Sequence, residues 1–436
     1  MFRTLASLAT CASLARAAVE VYKTNEGPTG YEVKISYTNS TVRDVQIGGL
    51  PHFTDQWRTT FTYAASFDPH DYKAGDFLQV AQSSPPSIYQ MNSNGDGYFE
   101  FTTPLPSGTY QYYFLLDCAN VTTCSQASGQ QVPDPENPPY ETIKGSEQGS
   151  PFQVPYDAQY QYYPDYNLNF DYTLPIADVS QRGTLKKDIY PSPGAVSPSP
   201  GMHDFVVYFP AGYSNTSSHK YPLLYLSHGG GGAAGDWENQ AYMSHIMDRL
   251  IQDNHMEPTV VVMPTFNGLL NVSNPPANVV RPLYQKYLFP YIEANYHVTT
   301  DPAHRAFAGL SLGSVLTYEM YINATSYFGY YGFFSGALLP GRSQSDYVNS
   351  NLTAQNPDSL DRGILVGYGQ YDIAFDDTKK LQAALDSVGI KYVNRFLPWG
   401  FHWWNMWQDH LWNFGRTTLW KARPFGEEIA HGLRGI

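Results

Sequence analysis

The sequence predicts an all-β sandwich of short strands followed by an α/β domain with a mostly parallel sheet, and three observations carry that reading. Between residues 30 and 116 apolar side chains alternate at every second position, as in Tyr31, Val33, Ile35, Tyr37 and again in Tyr110, Tyr112, Phe114, Leu116. From residue 183 onward the rhythm changes to short apolar runs at 223–226, 260–263, 306–309, 333–335 and 364–366, separated by glycine turns and helical patterns. The chain has 436 residues, 42% hydrophobic and 15% charged, which is enough apolar material for two packed cores.

Taken in order, residues 1–17 carry Arg3, no acid, a Leu/Ala run and an Ala15-Arg16-Ala17 triplet, so they predict a secretion signal cleaved after Ala17 or Ala18. No other stretch approaches the about 20 apolar residues of a membrane span. Export leaves Cys118 and Cys124, close in sequence and bound for an oxidising compartment, which predicts a local disulfide. Sequons at Asn39, Asn120, Asn215, Asn271, Asn323 and Asn351 agree with a secreted glycoprotein. Residues 18–140 form the expected sandwich, with turns at Asn94-Gly95-Asp96-Gly97 and Pro106-Ser107-Gly108. Residues 141–182 contain Tyr156, Tyr160, Tyr162, Tyr163, Tyr166 and Tyr172, too aromatic for a free linker, and are expected to pack. Residues 183–436 form the expected α/β domain. The net charge of −13 repels phosphate backbones and anionic lipid, which argues against nucleic-acid and membrane partners. Nothing in the sequence sets an oligomeric state.

The sharpest chemical signal is Gly309-Leu310-Ser311-Leu312-Gly313, placed between the apolar run 306–308 and a helical segment. A serine nucleophile must project from a strained strand-to-helix turn, and glycines on either side remove the side chains that would collide there. Its hydroxyl needs a base, an orienting acid and oxyanion donors. On this fold the order is serine, acid, histidine. Downstream of Ser311 stand His402, His410 and His431, of which His402 follows the strand-like run 393–397 and is the expected base. His410, in a predicted helix, and His431, in a basic tail, read as surface residues. Asp372, after the run 364–366, is the expected acid, while Asp376 and Asp377 open a helix and offset its dipole.

His228-Gly229-Gly230-Gly231-Gly232, directly after the run 223–226, is the expected oxyanion loop. Gly230 or Gly231 would donate together with the N–H of Leu312, and His228 reads as a residue that fixes the loop. No H-E-x-x-H or C-x-x-C pattern and no Walker or dinucleotide fingerprint occurs, which favours chemistry without metal or cofactor. Of the aromatics near the histidine and the glycine loop, most are expected in the core. Trp237, Trp399 and Trp403 are the candidates to line a substrate pocket.

With these residues in place, the segment from about 183 to 420 resembles the esterase D-like hydrolases of carbohydrate esterase family 1. The similarity rests on Phe209-Pro210-Ala211-Gly212-Tyr213, the HGGGG loop, the run from Pro290 to Tyr296, the Gly309–Gly313 motif and the run from His402 to Trp407. It implies an α/β-hydrolase fold with Ser311 as nucleophile, His402 as base and Asp372 as acid. The front half is similar to the Ig-like domain of carbohydrate-binding-module family 48 type, on the run from Pro104 to Tyr112 and on Asp134-Pro135-Glu136-Asn137-Pro138. The implied activity is removal of feruloyl or acetyl groups from plant cell-wall xylan, with the polysaccharide or its oligosaccharide esters as partner. The alternatives are a siderophore esterase or acyltransferase on the same scaffold, and a non-catalytic carbohydrate-binding glycoprotein.

Overall fold

The computed structural model describes residues 16–25, 29–50, 52–53, 80–81, 88–118, 131–140, 149–160, 170–336 and 363–421. Most of the expected signal, Cys124, His431 and the sequons at Asn120 and Asn351 lie outside the described residues, as does the side chain of Trp399. Cys118 is disulfide-bonded.

The front half contains two four-stranded antiparallel sheets. One runs Arg16–Lys23, Tyr31–Thr38, Tyr98–Thr103, Asn92–Gly95 across its width; the other runs Ser150–Val154, Gly108–Leu116, Val45–Gly48, Ile88–Gln90. The alternation read from the sequence is the reason for this arrangement. Val33, Ile35 and Tyr37 of one sheet and Tyr110, Tyr112 and Phe114 of the other turn inward to a shared core, and the residues between them face outward.

The second half is built on one eight-stranded sheet. Its strands lie in the order Thr184–Pro191, Met202–Phe209, Val260–Pro264, Leu223–Ser227, Arg305–Leu310, Tyr330–Phe334, Gly363–Tyr371 and Val393–Phe401. The first two are antiparallel additions, and the remaining six pair in parallel. The sheet is covered on both faces, which is why its strands read as uninterrupted apolar runs. Tyr225 and Phe307 face a layer that includes helix Leu312–Asn323, whereas Leu224, Leu226 and Ala308 face helices Met243–Gln252 and Trp404–Thr417.

The Tyr-rich segment packs where it is described: Tyr160 and Tyr172 are buried, and Tyr172 stacks on Trp412 with centroids 4.9 Å apart. The two halves share a core, because Tyr371, Phe401 and Trp403 of the α/β domain close the bottom of the sandwich. Polar contacts reinforce this seam. Gln111 donates to the carbonyl of Asn239 at 2.6 Å, and Asn405 donates to the Tyr110 hydroxyl at 3.3 Å. The front sandwich therefore abuts the helix that follows His402.

Candidate active site

Strand register decides which residues meet. Ser227 pairs with Gly309, Leu310 with Phe334, Phe334 with Gly367, and Tyr371 with Phe401. Five parallel strands thus end together, and the residues just past their carboxyl ends, His228–Gly232, Ser311, Ser335, Asp372 and His402, collect along one edge.

Ser311 joins its strand to helix Leu312–Asn323 with φ 52° and ψ −118°, a conformation that side chains other than glycine rarely adopt. Its N–H is held by the Phe334 carbonyl at 2.9 Å. The flanking glycines have identifiable reasons. A Cβ on Gly309 would stand 2.5 Å from the Gly313 carbonyl oxygen, and one on Gly313 would stand 2.4 Å from that of His228. These contacts bring the elbow against the glycine loop.

His402 and Asp372 are buried and joined by a hydrogen bond of 2.7 Å from Nδ1 to Oδ1. The same Oδ1 accepts the Ala374 N–H at 2.8 Å. Burial by itself would raise the Asp372 carboxyl, but the charge and hydrogen bond of His402, the Ala374 N–H and the Ser335 hydroxyl outweigh it, so the group titrates below the ordinary carboxylate value. Asp376 and Asp377 occupy the first turn of helix Phe375–Ser387.

Two further residues support the pair, Trp407 from the aromatic run after His402 and Ser335, which no chemical motif in the sequence singled out. Trp407 stands edge-on to the His402 ring with centroids 4.9 Å apart, and its indole N–H donates to Ser335 Oγ at 2.7 Å. Ser335 is buried at φ 60°, one residue beyond the carbonyl that holds Ser311. Sequence separation hides this link, since Trp407 lies 72 positions from Ser335.

The glycine loop is clamped from outside. His228 Nδ1 donates to the Gly229 carbonyl at 2.6 Å, which leaves Nε2 to accept from the Thr265 hydroxyl at 2.9 Å. Burial pushes the imidazole down to about 4, so it remains neutral and acts as a fixed brace. The N–H of Gly231 points to Asn274 Oδ1 at 2.8 Å. That corrects the expectation that Gly231 could serve as an oxyanion donor, because its amide is already engaged. Gly230 remains the candidate donor: a Cβ there would touch Leu312 at 3.0 Å, and one on Gly229 would lie 3.2 Å from Ser311 Cβ. The peptide between them runs beside the serine. Leu312, first residue of its helix, has no intrahelical partner for its N–H.

Two other expectations are corrected. Trp237 is 1% exposed; its indole donates to the Ser227 carbonyl at 2.9 Å and its ring packs on Phe334 and Trp404, so it is a core residue with no face for a substrate. His410, read as a surface residue, is fully buried beneath the sheet against Gly367 and Phe334, because the helix following His402 lies flat on the strands. Trp403 is half-buried and lines a cleft between the two halves. Among the described residues no group of three His, Cys, Asp or Glu could hold a metal, and no helix is long and apolar enough to cross a membrane.

Residues 200–416 match the family described as "Putative esterase". The chain is 27% identical over 279 residues to endo-1,4-beta-xylanase Y of Acetivibrio thermocellus, covering 58% of this chain and 24% of that protein. It is 34% identical over 139 residues to an endo-1,4-beta-xylanase/feruloyl esterase of Xylanibacter ruminicola, covering 30% of this chain and 19% of that protein. The chain thus spans about a fifth to a quarter of the length of these two relatives. The enterobactin esterase of Shigella flexneri, solved in the presence of enterobactin, shares the fold over 93% of this chain and 96% of its own, with a TM-score of 0.55 and 16% identity.

Proposed function

We propose that this protein is a secreted serine carboxylic-ester hydrolase that removes feruloyl or acetyl groups from plant cell-wall xylan. The observation that carries the proposal is the strained Ser311 elbow, set at one sheet edge with the hydrogen-bonded His402–Asp372 pair and the clamped glycine loop. His402 Nε2 takes the Ser311 proton as the oxygen attacks the ester carbonyl. Asp372 holds Nδ1–H and stabilises the imidazolium. The N–H groups of Gly230 and Leu312 receive the developing oxyanion, each contributing on the order of 3 kcal/mol. The protonated histidine then releases the alcohol, and water repeats the cycle on the acyl-enzyme.

The xylan assignment draws on the names of the two relatives, one a xylanase and one a xylanase/feruloyl esterase. A cleft of about 310 Å³ between the sandwich and the α/β domain, lined by Trp403 and Trp404 and not by Ser311, Asp372 or His402, offers a surface for the polysaccharide away from the reacting ester. Trp403, Trp404 and Tyr113 supply apolar faces there and Gln111, Asp236 and Asn239 supply polar edges, a mixture suited to sugar rings. The whole-chain likeness to an enterobactin esterase favours a second reading, a siderophore esterase on the same scaffold. A net charge of −13 is poorly suited to an anionic catecholate ligand.

The test is product release by the purified protein from feruloylated arabinoxylan, acetylated xylan and a catecholate triester. Ferulate or acetate release that is absent in Ser311→Ala, with phosphonate labelling of the wild-type serine, supports the proposal. Activity on the triester alone overturns the xylan assignment. A protein that binds xylan yet neither labels nor hydrolyses is an adhesin.

A further inference from the structure

We propose that Asn274 is a positioning residue for acyl transfer, which rests on the esterase reading: its carboxamide holds the glycine loop so that the Gly230 N–H is left to face the reacting oxygen. The loop's polar groups are nearly all engaged. Gly229 O takes His228 Nδ1–H, Gly231 N–H goes to Asn274 Oδ1, Gly232 O accepts from Asn267 Nδ2 at 2.8 Å, and Ala233 N–H goes to Asp236 Oδ2 at 2.9 Å. Among the described residues the Gly230 N–H has no such partner.

Asn274 is itself fixed from behind. Its N–H donates to Asn267 Oδ1 at 2.9 Å, and the Asn267 N–H donates at 3.2 Å to Thr265 Oγ1, the hydroxyl that also meets His228. One connected network therefore grips the loop on both sides of Gly230. Gly231 adopts φ 71°, and this left-handed turn is what directs its N–H outward to Asn274 while the preceding peptide runs beside Ser311. Without the carboxamide, Gly231 keeps the full freedom of glycine, and the peptide carrying the Gly230 N–H is held only at its other end, where the Gly229 carbonyl accepts from His228 Nδ1–H and the Gly232 N–H. Preorganisation of that donor is reduced, which weakens the transition state and leaves the ground state almost untouched.

Two substitutions test this on the full chain with 4-nitrophenyl acetate. Asn274 stands at φ 50°, so Asn274→Gly removes the acceptor without backbone strain. It should lower kcat at least tenfold, with KM within twofold and an unchanged thermal midpoint. Asn274→Asp keeps an acceptor for Gly231 but brings a negative charge near the hole once ionised. Its kcat relative to wild type should fall as pH rises through the carboxylate range. The titratable neighbours His228 and Asp236 are common to both proteins and cancel in that ratio. A kcat for Asn274→Gly within threefold of wild type, or a pH-independent Asn274→Asp ratio, overturns the assignment. A wild type that turns over no ester overturns the esterase reading and this inference with it, whereas wild-type turnover with unaffected variants overturns the inference alone.

Discussion

Replacing Asp372 by Asn isolates one contribution to the proposed mechanism, the charge behind the histidine. Two donors, His402 Nδ1–H and Ala374 N–H, converge on Asp372 Oδ1 at 2.7 and 2.8 Å. An asparagine must therefore place its carbonyl oxygen there, because the flipped amide would set N–H against N–H. The imidazole keeps its Nδ1–H tautomer, and Nε2 stays free to take the serine proton. Only the negative charge is lost. Carboxylate and imidazolium centres about 4 Å apart attract by about 4 kcal/mol at an effective dielectric near 20, which corresponds to roughly a 10³-fold fall in kcat. Loss of the correct tautomer would cost roughly 10⁴-fold. The assay is steady-state hydrolysis of 4-nitrophenyl acetate at neutral pH, with near-ultraviolet circular dichroism as the fold control. Asp376→Asn, on the neighbouring helix, should leave kcat within twofold. An Asp372→Asn enzyme within tenfold of wild type would refute the proposed role of Asp372.

Acid stability offers a second view of Asp372. Its carboxyl is depressed in the folded protein, so its stabilisation is present above the ordinary carboxylate value and is lost as pH falls through the lower folded value; Asp372→Asn should flatten the acid limb of a stability–pH profile. Asp236 has the opposite sign. Burial raises it to about 6, so folding favours its protonated form, and stability falls as pH rises from about 4 through 6. Asp236→Asn, which keeps an acceptor for Ala233, should gain on the order of 1–3 kcal/mol at pH 7 by urea unfolding, and a loss at pH 7 would contradict the burial argument. Ser311→Ala and Ser311→Gly should both be inactive, but glycine relieves the elbow's strain and should be the more stable by about 1 kcal/mol. Trp237→Phe removes the bond to Ser227 and leaves a gap in the core, so stability should drop by about 1–3 kcal/mol with an unchanged ferulate-to-acetate ratio; a changed ratio would return Trp237 to the pocket.

Features that depend on local chemistry could be read from the residues before any fold was known. Alternation at Tyr31–Tyr37 and Tyr110–Leu116 specified strands with one buried face, and the apolar runs at 223–226 and 306–309 specified strands covered on both. Glycines around Ser311 and after His228 announced a backbone that must turn sharply or approach another backbone closely, and the collisions a Cβ would meet there supply the reason. Tertiary structure alone decided which residues are neighbours. Strand order and helix packing placed Phe334 beside Ser311, Trp407 on Ser335 and Asn274 on Gly231, contacts that join residues far apart in the chain. It also decided burial. An aromatic or imidazole next to a catalytic motif reads alike whether it faces a pocket or a core, and only the helix lying on the sheet committed Trp237 and His410 to the interior. Local pattern fixes backbone conformation because sterics act over a few bonds, whereas contact and burial depend on where the rest of the chain lies.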